Sequence, residues 1–350
     1  MSFYNLLQLN PGELKNHIHN ASNHQERFKL YLAIITRAIL IVLFAIVLIA
    51  PLSQIFGSEN SAMLVSLFCI ILSIRFVDFG YNLKASITSL GLSFFLLCFG
   101  PLIATKFNPL IGAIINFISL LLILIMTCKN PIMGNGGLYG FAYVFLAGNP
   151  VSGDLAIKRA LLTLISFIVC ALIYYQKHKD KNPEITFKSE LNCFSLTNRK
   201  SQYQLRLALG ISLLLFIGDI LNIERFMWAG FACSSLLSTY ESHEIKARSS
   251  HRILSTLIGT ALFFIVYSLA PTSLHALFGP VCGLCLGFCV EYRHKTTINC
   301  FSALLLATSL YGLSTALALR IVHNIAGVIF AMIFVFIFEK FIEKYVAINA

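Results

Sequence analysis

Long apolar stretches separated by short polar segments recur along the whole chain, and they constrain its fold more than any other feature. A membrane-spanning helix needs about 20 mostly apolar residues. Twelve candidate stretches, of which the fifth is short and Gly-rich, lie at residues 30–50, 60–76, 86–104, 108–128, 137–150, 155–175, 204–221, 224–240, 253–270, 273–290, 298–315 and 317–338. They predict an all-α, polytopic membrane protein with about twelve transmembrane helices.

The composition excludes a soluble globular class. Hydrophobic residues make up 57% of the chain and charged residues 12%, whereas soluble domains carry about 25% charged residues. The net charge of +11 could indicate nucleic-acid binding. We exclude that partner, because the basic residues occupy short loops between apolar stretches and do not form one polar stripe.

The distribution of basic residues predicts the orientation. With the N-terminus inside, cytoplasmic segments hold 19 of the 26 Lys and Arg residues and outer segments hold five. Positive charge is enriched in cytoplasmic loops of membrane proteins. We therefore expect a multi-pass protein of the bacterial inner membrane, surrounded by membrane lipids, with both termini in the cytoplasm.

The twelve stretches divide into two halves with the same layout. Arg37 and Arg206 stand early in the first stretch of each half, and Arg159 and Arg320 open the sixth. An even number of spans per half makes the repeats parallel, with a pseudo-axis along the membrane normal. The predicted organisation is a cytoplasmic N-terminal segment, a six-helix repeat, a basic cytoplasmic linker, a second six-helix repeat and a cytoplasmic tail, at 1–29, 30–175, 176–203, 204–338 and 339–350.

Arginines inside apolar stretches are candidate binding residues. A charge at the bilayer centre costs about 2.5–3.5 kcal/mol on insertion scales, so such residues are functional by default. A guanidinium binds a carboxylate through two hydrogen bonds and stays charged. Arg37, Arg159, Arg206 and Arg320 are therefore predicted to bind an anionic substrate. The alternative, that these side chains extend to the lipid headgroups, stays open.

His323 lies one helical turn after Arg320, on the same face. Its ordinary pKa near 6.5 suits proton coupling, so we add it to the substrate-binding set. The alternative is a buried histidine that hydrogen-bonds to a neighbouring helix. The charged inner loop that carries Glu244, Arg248 and Arg252 is predicted to form the cytoplasmic entrance. That loop could equally serve as an orientation signal with local salt bridges.

The second half carries a pattern of short motifs. They are LRLAL with Arg206, MWAGFACSSLL with Trp228, RSSHRILSTLIGTALFF with Arg248 and Arg252, and ALRIVHNIAGVIFA with Arg320. From Gln204 to Phe338 this pattern resembles the fusaric acid resistance protein-like family, which overlaps the aromatic acid exporters and is distantly related to plant aluminium-activated malate transporters. The first half shows the pattern faintly, without the Trp-Ala and Gly-Thr pairs.

The resemblance implies secondary efflux of small organic anions, aromatic carboxylic acids among them, and it admits a homodimer. Larger exporters of this family carry big cytoplasmic domains after each membrane block, whereas this chain has a short linker and a short tail there. No motif of the family specifies a substrate. A passive organic-anion channel and a non-transporting membrane scaffold therefore remain as alternatives.

Enzyme signatures are missing from the sequence. It contains no GxxxxGKS, HExxH or GxSxG pattern, so we expect no enzyme activity, no cofactor and no direct use of ATP. Cys282, Cys285 and Cys289 have helical spacing, but no His or carboxylate joins them in the same stretch. We interpret them as small hydrophobic residues and not as a metal site.

Overall fold

The structure is a computed structural model that describes residues 2–187 and 194–349, the last two without their side chains. It is 83% helical, and the described residues contain no strand. The predicted all-α class is therefore confirmed. Lys188 of the predicted basic linker and Ala350 of the predicted tail lie outside the described residues.

Fourteen α-helices are described. They are α1 (Phe3–Gln8), α2 (Pro11–Asn20), α3 (His24–Phe56), α4 (Ser61–Ile74), α5 (Leu83–Ala104), α6 (Pro109–Thr127), α7 (Asn135–Ala147), α8 (Asp154–His178), α9 (Arg199–Leu221), α10 (Met227–Leu237), α11 (His243–Leu269), α12 (Phe278–Phe288), α13 (Tyr292–Tyr311) and α14 (Leu313–Asn349). Short 3₁₀ helices at Ser58–Asn60, Pro131–Met133 and Thr272–Leu277 precede α4, α7 and α12.

Local sequence explains where several helices begin. Asn10 and Glu13 form a capping box at the start of α2, in which each side chain binds the backbone N–H of the other. Asn82 and Asn108 accept hydrogen bonds from the first turns of α5 and α6. These side chains satisfy N–H groups that have no partner within the helix.

Seven described helices are long and apolar enough to cross a membrane, namely α3, α5, α6, α8, α9, α11 and α14. Each of the twelve apolar stretches predicted from the sequence overlaps one helix from α3 to α14. Helices α4, α7, α10 and α12 have only 11 to 14 residues, and α13 carries several polar and charged residues. The count of twelve crossings therefore stays a prediction.

The helices divide into two compact units. The first contains the chain up to Leu48 together with Ser250–Val322. In this unit α12 packs against α13. The segment at 1–29, predicted only as polar and cytoplasmic, folds mainly into α1 and α2. Leu6 and Leu14 of these helices share a buried apolar cluster with Leu30 of α3.

The second unit contains Ile49–Ser249 and the chain from His323 onward. Here α5 packs against α6 and α8, α6 packs against α9, and α10 packs against α7 and α9. Several crossings are close because one partner is a glycine. A Cβ atom on Gly327 of α14 would lie 2.3 Å from the carbonyl oxygen of Ala229 in α10, so only glycine fits this crossing.

Candidate functional site

Arg206 lies two turns into α9 and is 6% exposed. Its Nη2 donates to the backbone oxygens of Leu237 and Tyr240, at 3.3 Å each, and to that of Thr239. Leu237 is the last residue of α10, where backbone oxygens have no partner within the helix, and Thr239 and Tyr240 follow just after the helix. The guanidinium therefore caps α10, in an orientation favoured by the helix dipole. Its predicted contact with an anion stays a prediction.

A charged cavity of about 400 Å³ opens beside Arg206, at the N-terminal end of α9. We call it the proximal cavity. Its lining consists of Arg199, Gln202, Tyr203, Arg206, Tyr240, Glu241, Ser242, His243, Phe338, Glu339, Ile342 and Glu343. Cations and carboxylates thus share one water-accessible space. The charges of Glu241 and Glu339, which line the same cavity, act on the Arg206 guanidinium.

Two members of the predicted cytoplasmic entrance lie in the second unit. Glu244 is exposed in the first turn of α11. Arg248 lies one turn later and interacts electrostatically with Tyr203, a wall residue of the proximal cavity. The predicted entrance therefore adjoins this cavity through Arg248, while its role in substrate entry stays a prediction.

Arg159 is fully buried near the start of α8. Its Nε donates to Asn60 Oδ1 at 2.8 Å, and its Nη2 donates to the backbone oxygen of Glu59 at 3.1 Å. Asn60 in turn donates to the backbone oxygens of Phe56 and Leu155. The network ties α8 to the turn that precedes α4. The Nη1 atom of Arg159 is buried without a hydrogen-bond partner among the described residues.

Arg252 and Arg320 come together in the first unit. Both are more than nine-tenths buried, and their charges act on each other. Arg252 Nη1 donates to the Tyr292 hydroxyl at 2.9 Å, and Arg320 Nη2 lies 3.9 Å from Cys300 Sγ. The structure thus joins one residue of the predicted entrance to one of the predicted substrate ligands.

Arg37 is partly exposed in α3 of the same unit. The neighbouring Ala38 packs so closely against Gly287 of α12 that a Cβ atom on that glycine would lie 2.6 Å from the Ala38 Cβ. The residue beside Arg37 thus marks a close crossing between α3 and α12.

His323 is buried in α14 between two aromatic rings. Its ring centroid lies 6.0 Å from that of Phe226 and 6.4 Å from that of Trp228, both in edge-to-face geometry. The imidazole also interacts with the backbone of Arg225. Its Nδ1 is buried and has no hydrogen-bond partner among the described residues. The two aromatic rings thus give the imidazole apolar neighbours, and its Nδ1 atom is available for a hydrogen bond.

A second cavity, of about 340 Å³, opens at the C-terminal end of α9. We call it the distal cavity. Its walls come from the ends of five helices and are Pro101, Ala104, Thr105, Phe107, Pro109, Asn116, Ala147, Gly148, Leu215, Gly218, Asp219, Asn222, Ile223, Arg225, Phe226 and Met227. Phe226 faces this cavity and also contacts His323. One wall residue therefore connects the cavity to the buried imidazole.

Sequence reasoning missed Arg225, which lies in the turn between α9 and α10. An arginine in a short loop is ordinary there, so its position carried no signal. In the structure Arg225 has a positive φ of 55°, which is uncommon for a residue with a side chain. The αL residue Asn222, which ends α9, lies just before it. This tight turn brings Arg225 to the wall of the distal cavity.

The described residues contain no group of three or more His, Cys, Asp or Glu side chains that could hold a metal ion. Cys282 is buried, Cys285 is exposed and Cys289 is intermediate. These thiols therefore occupy different environments along and after α12.

Residues 212–334 match the model of the fusaric acid resistance protein-like family. The match covers about a third of the chain and confirms the resemblance of the second half. It includes Trp228, Arg252, Arg320 and His323, but it begins after Arg206. No curated protein and no solved structure matches the chain significantly. The family is one of membrane transport and resistance, and with the seven apolar helices it supports a multi-pass membrane protein.

Proposed function

We propose that this chain is a secondary transporter that exports small organic carboxylates, aromatic ones among them, across the bacterial inner membrane in exchange for protons. The proposal proceeds from the family match of residues 212–334. The observation that carries it is the pair of cavities at the two ends of α9.

The distance between the cavities fits a membrane. Helix α9 has 23 residues, so its ends lie about 33 Å apart at a rise of 1.5 Å per residue. The hydrocarbon core of a bilayer is about 30 Å thick. One cavity therefore reaches each side of the membrane, and both belong to the same compact unit.

The middle of α9 favours a carrier over an open channel. Leu207, Ile211 and Leu214 lie between the two cavities and are almost completely buried. A substrate can pass along this face of α9 only after the helices packed against it move apart, as in alternating access. The cavities then correspond to entrance and exit sites.

The distal cavity suits an aromatic carboxylate. Its volume lies at the lower end of the range for small-molecule sites. Arg225 offers the guanidinium that a carboxylate binds best, and the rings of Phe107 and Phe226 offer faces for an aromatic ligand. We assign the carboxylate to Arg225 and the ring to the two phenylalanines.

His323 is the proposed proton carrier. Titratable side chains inside membrane helices commonly serve in proton relays, and histidine titrates close to neutral pH. The imidazole contacts Phe226 and the backbone of Arg225. A change in its charge would therefore act directly on the wall that holds the substrate.

Reciprocal helix packing supports the proposed twelve crossings in two parallel repeats. Helix α9, the first of the second half, packs on α6, the fourth of the first half, where Gln204 Nε2 donates to the Cys128 oxygen at 3.0 Å. Helix α3, the first of the first half, meets α12, the fourth of the second half, at Ala38 and Gly287. In both contacts the first helix of one half packs on the fourth helix of the other half.

Transport by the purified full chain in proteoliposomes tests the proposal. Labelled benzoate should move only when a pH gradient is imposed. Arg225→Gln should weaken benzoate binding about tenfold to a hundredfold, the worth of a charged hydrogen bond, while Arg75→Gln, in a loop after α4, leaves it unchanged. His323→Gln should remove the dependence on pH. Normal coupled transport in both variants would contradict the assignment.

The same preparation separates the alternatives. Unitary currents in a planar bilayer would identify a passive anion channel, since a carrier moves too few ions per cycle to be resolved. Neither transport nor current, from a protein with an ordinary cooperative melting transition, would favour the membrane scaffold.

A further inference from the structure

The two N-terminal helices build a groove against α3. Leu6 of α1 and Leu14 of α2 are buried against Leu30, Ala33 and Ile34, which anchors both helices. Beside this cluster lies an open groove of about 470 Å³, lined by Lys15, Ile18, Tyr31, Ile34, Ile35 and Phe288. We call it the α3 groove. Five of its six wall residues are apolar or aromatic, and Lys15 is its single charged one.

A cluster of cations stands around the turn that follows α12. Arg293 Nη2 donates to Glu291 Oε2 at 3.0 Å, and His294 Nδ1 lies 3.9 Å from the same oxygen. The charge of Lys15 reaches both Cys289 and Glu291, and that of Lys295 reaches Cys289. The hydrogen bond from Arg293 holds the pKa of Glu291 below its ordinary value, and the charges of Arg293, His294 and Lys15 all act on this one carboxylate.

The α3 groove lies at the depth where headgroups meet hydrocarbon. Helix α3 begins with the polar residues of HQERFK and becomes apolar from Leu30. Tyr31 stands at this change and is 50% exposed, as is typical of aromatic residues at membrane interfaces. Ile35, one turn deeper, is exposed on the same side. The groove therefore opens toward lipid while Lys15 remains among the headgroups.

We propose that the α3 groove binds an anionic phospholipid, with an acyl chain along Ile18, Ile35 and Phe288 and the phosphate at Lys15. The charge pattern selects the headgroup, because a zwitterionic lipid would place its own cation beside Lys15, Arg293 and Lys295. The apolar walls select a lipid over a soluble anion, which would leave them uncovered. The groove shares no wall residue with either cavity of α9, and the proposal does not depend on the transport function.

Native mass spectrometry of the purified full chain tests the headgroup. The protein is mixed in detergent with equal amounts of phosphatidylglycerol and phosphatidylcholine that carry identical acyl chains. Phosphatidylglycerol should be retained preferentially. Lys15→Gln and Lys295→Gln should each lower that preference about fivefold, the effect of one basic residue at an anionic surface. Glu291→Gln should raise it, and Lys106→Gln, at the far end of α5, should leave it unchanged.

A second pair of variants tests the apolar walls. Ile35→Trp should fill the α3 groove and reduce retention of both lipids. Ile39→Trp, one turn further along α3 and equally exposed at 43%, lies outside the groove walls and should have no effect. Equal retention of both lipids by the unmodified protein would overturn the proposal. So would an unaltered preference after both lysines are replaced, or complete displacement of the lipid by inorganic phosphate.

Discussion

Arg159 Nε donates a hydrogen bond of 2.8 Å to the side-chain oxygen of Asn60, ninety-nine positions earlier in the chain. Asn60 Nδ2 in turn donates hydrogen bonds to the backbone oxygens of Phe56 and Leu155. One buried guanidinium thereby holds the end of α3, the turn before α4 and the start of α8 in register. This network gives Arg159 a structural role, and its predicted contact with an anionic substrate stays a prediction.

Replacing Arg159 by leucine should destabilise the protein. The substitution leaves the buried Asn60 Oδ1 without its donor, which costs about 1–3 kcal/mol, and it also removes the hydrogen bond to the Glu59 carbonyl. Unfolding by detergent denaturation of the purified protein would measure the loss. Lys158→Leu changes an exposed neighbour and serves as the control. Because the partners are shared, adding Asn60→Leu to Arg159→Leu should cost less than the sum of the single changes; strict additivity would speak against the network.

Arg206→Gln should likewise lower stability, by about 1–3 kcal/mol, because the carbonyls at and just after the end of α10 lose their donor. Arg199→Gln removes an exposed charge from the same proximal cavity and should change the melting temperature little. Arg206→Lys should fall between the two, since one ammonium group cannot span three carbonyls. An unchanged melting temperature in Arg206→Gln would refute the capping role. A selective loss of benzoate binding well below the melting temperature would support the predicted contact with an anion.

Gly327→Ala should be more harmful than an ordinary glycine-to-alanine change in a helix. Its methyl group would lie 2.3 Å from the Ala229 oxygen, so α14 and α10 must separate, at a typical cost of about 1–3 kcal/mol. Gly279 of α12 is the matched control, since nothing lies within 4 Å of a Cβ atom there. A melting curve for each variant would decide, and equal stability of the two would contradict the close crossing.

The short helices α4 and α7 decide how many times the first half crosses the membrane. If all twelve helices cross, Lys106→Cys lies on the side opposite the N-terminus. If α4 and α7 do not cross, Lys106→Cys lies on the same side as the N-terminus, whereas Lys179→Cys lies on that side in both cases. Labelling of each single cysteine in intact cells with an impermeant maleimide, on a background without reactive cysteines, would distinguish these arrangements. We expect labelling of Lys106→Cys only.

Helix placement could be predicted well from the sequence. Every apolar stretch overlaps a helix, because apolar content is a local property that adds up along a segment. The family resemblance of the second half could also be recognised from the sequence, since each of its motifs is a contiguous run of residues. The fold of the segment at 1–29 could not be predicted. Leu6 and Leu14 are isolated apolar residues in polar surroundings, and only the face of α3 explains their burial.

The sequence by itself therefore determined that the protein is helical and lies in a membrane, where its helices are, and which arginines lie within them. Tertiary structure alone decided what those arginines contact. Arg206 donates to carbonyls more than thirty positions away, and the charge of Arg252 acts on Arg320. Arg225, which lies in a turn and not in a helix, reaches a cavity because the ends of five helices converge beside it. A buried guanidinium needs acceptors with exact direction and distance, and such acceptors come from whichever backbone ends the packing brings near.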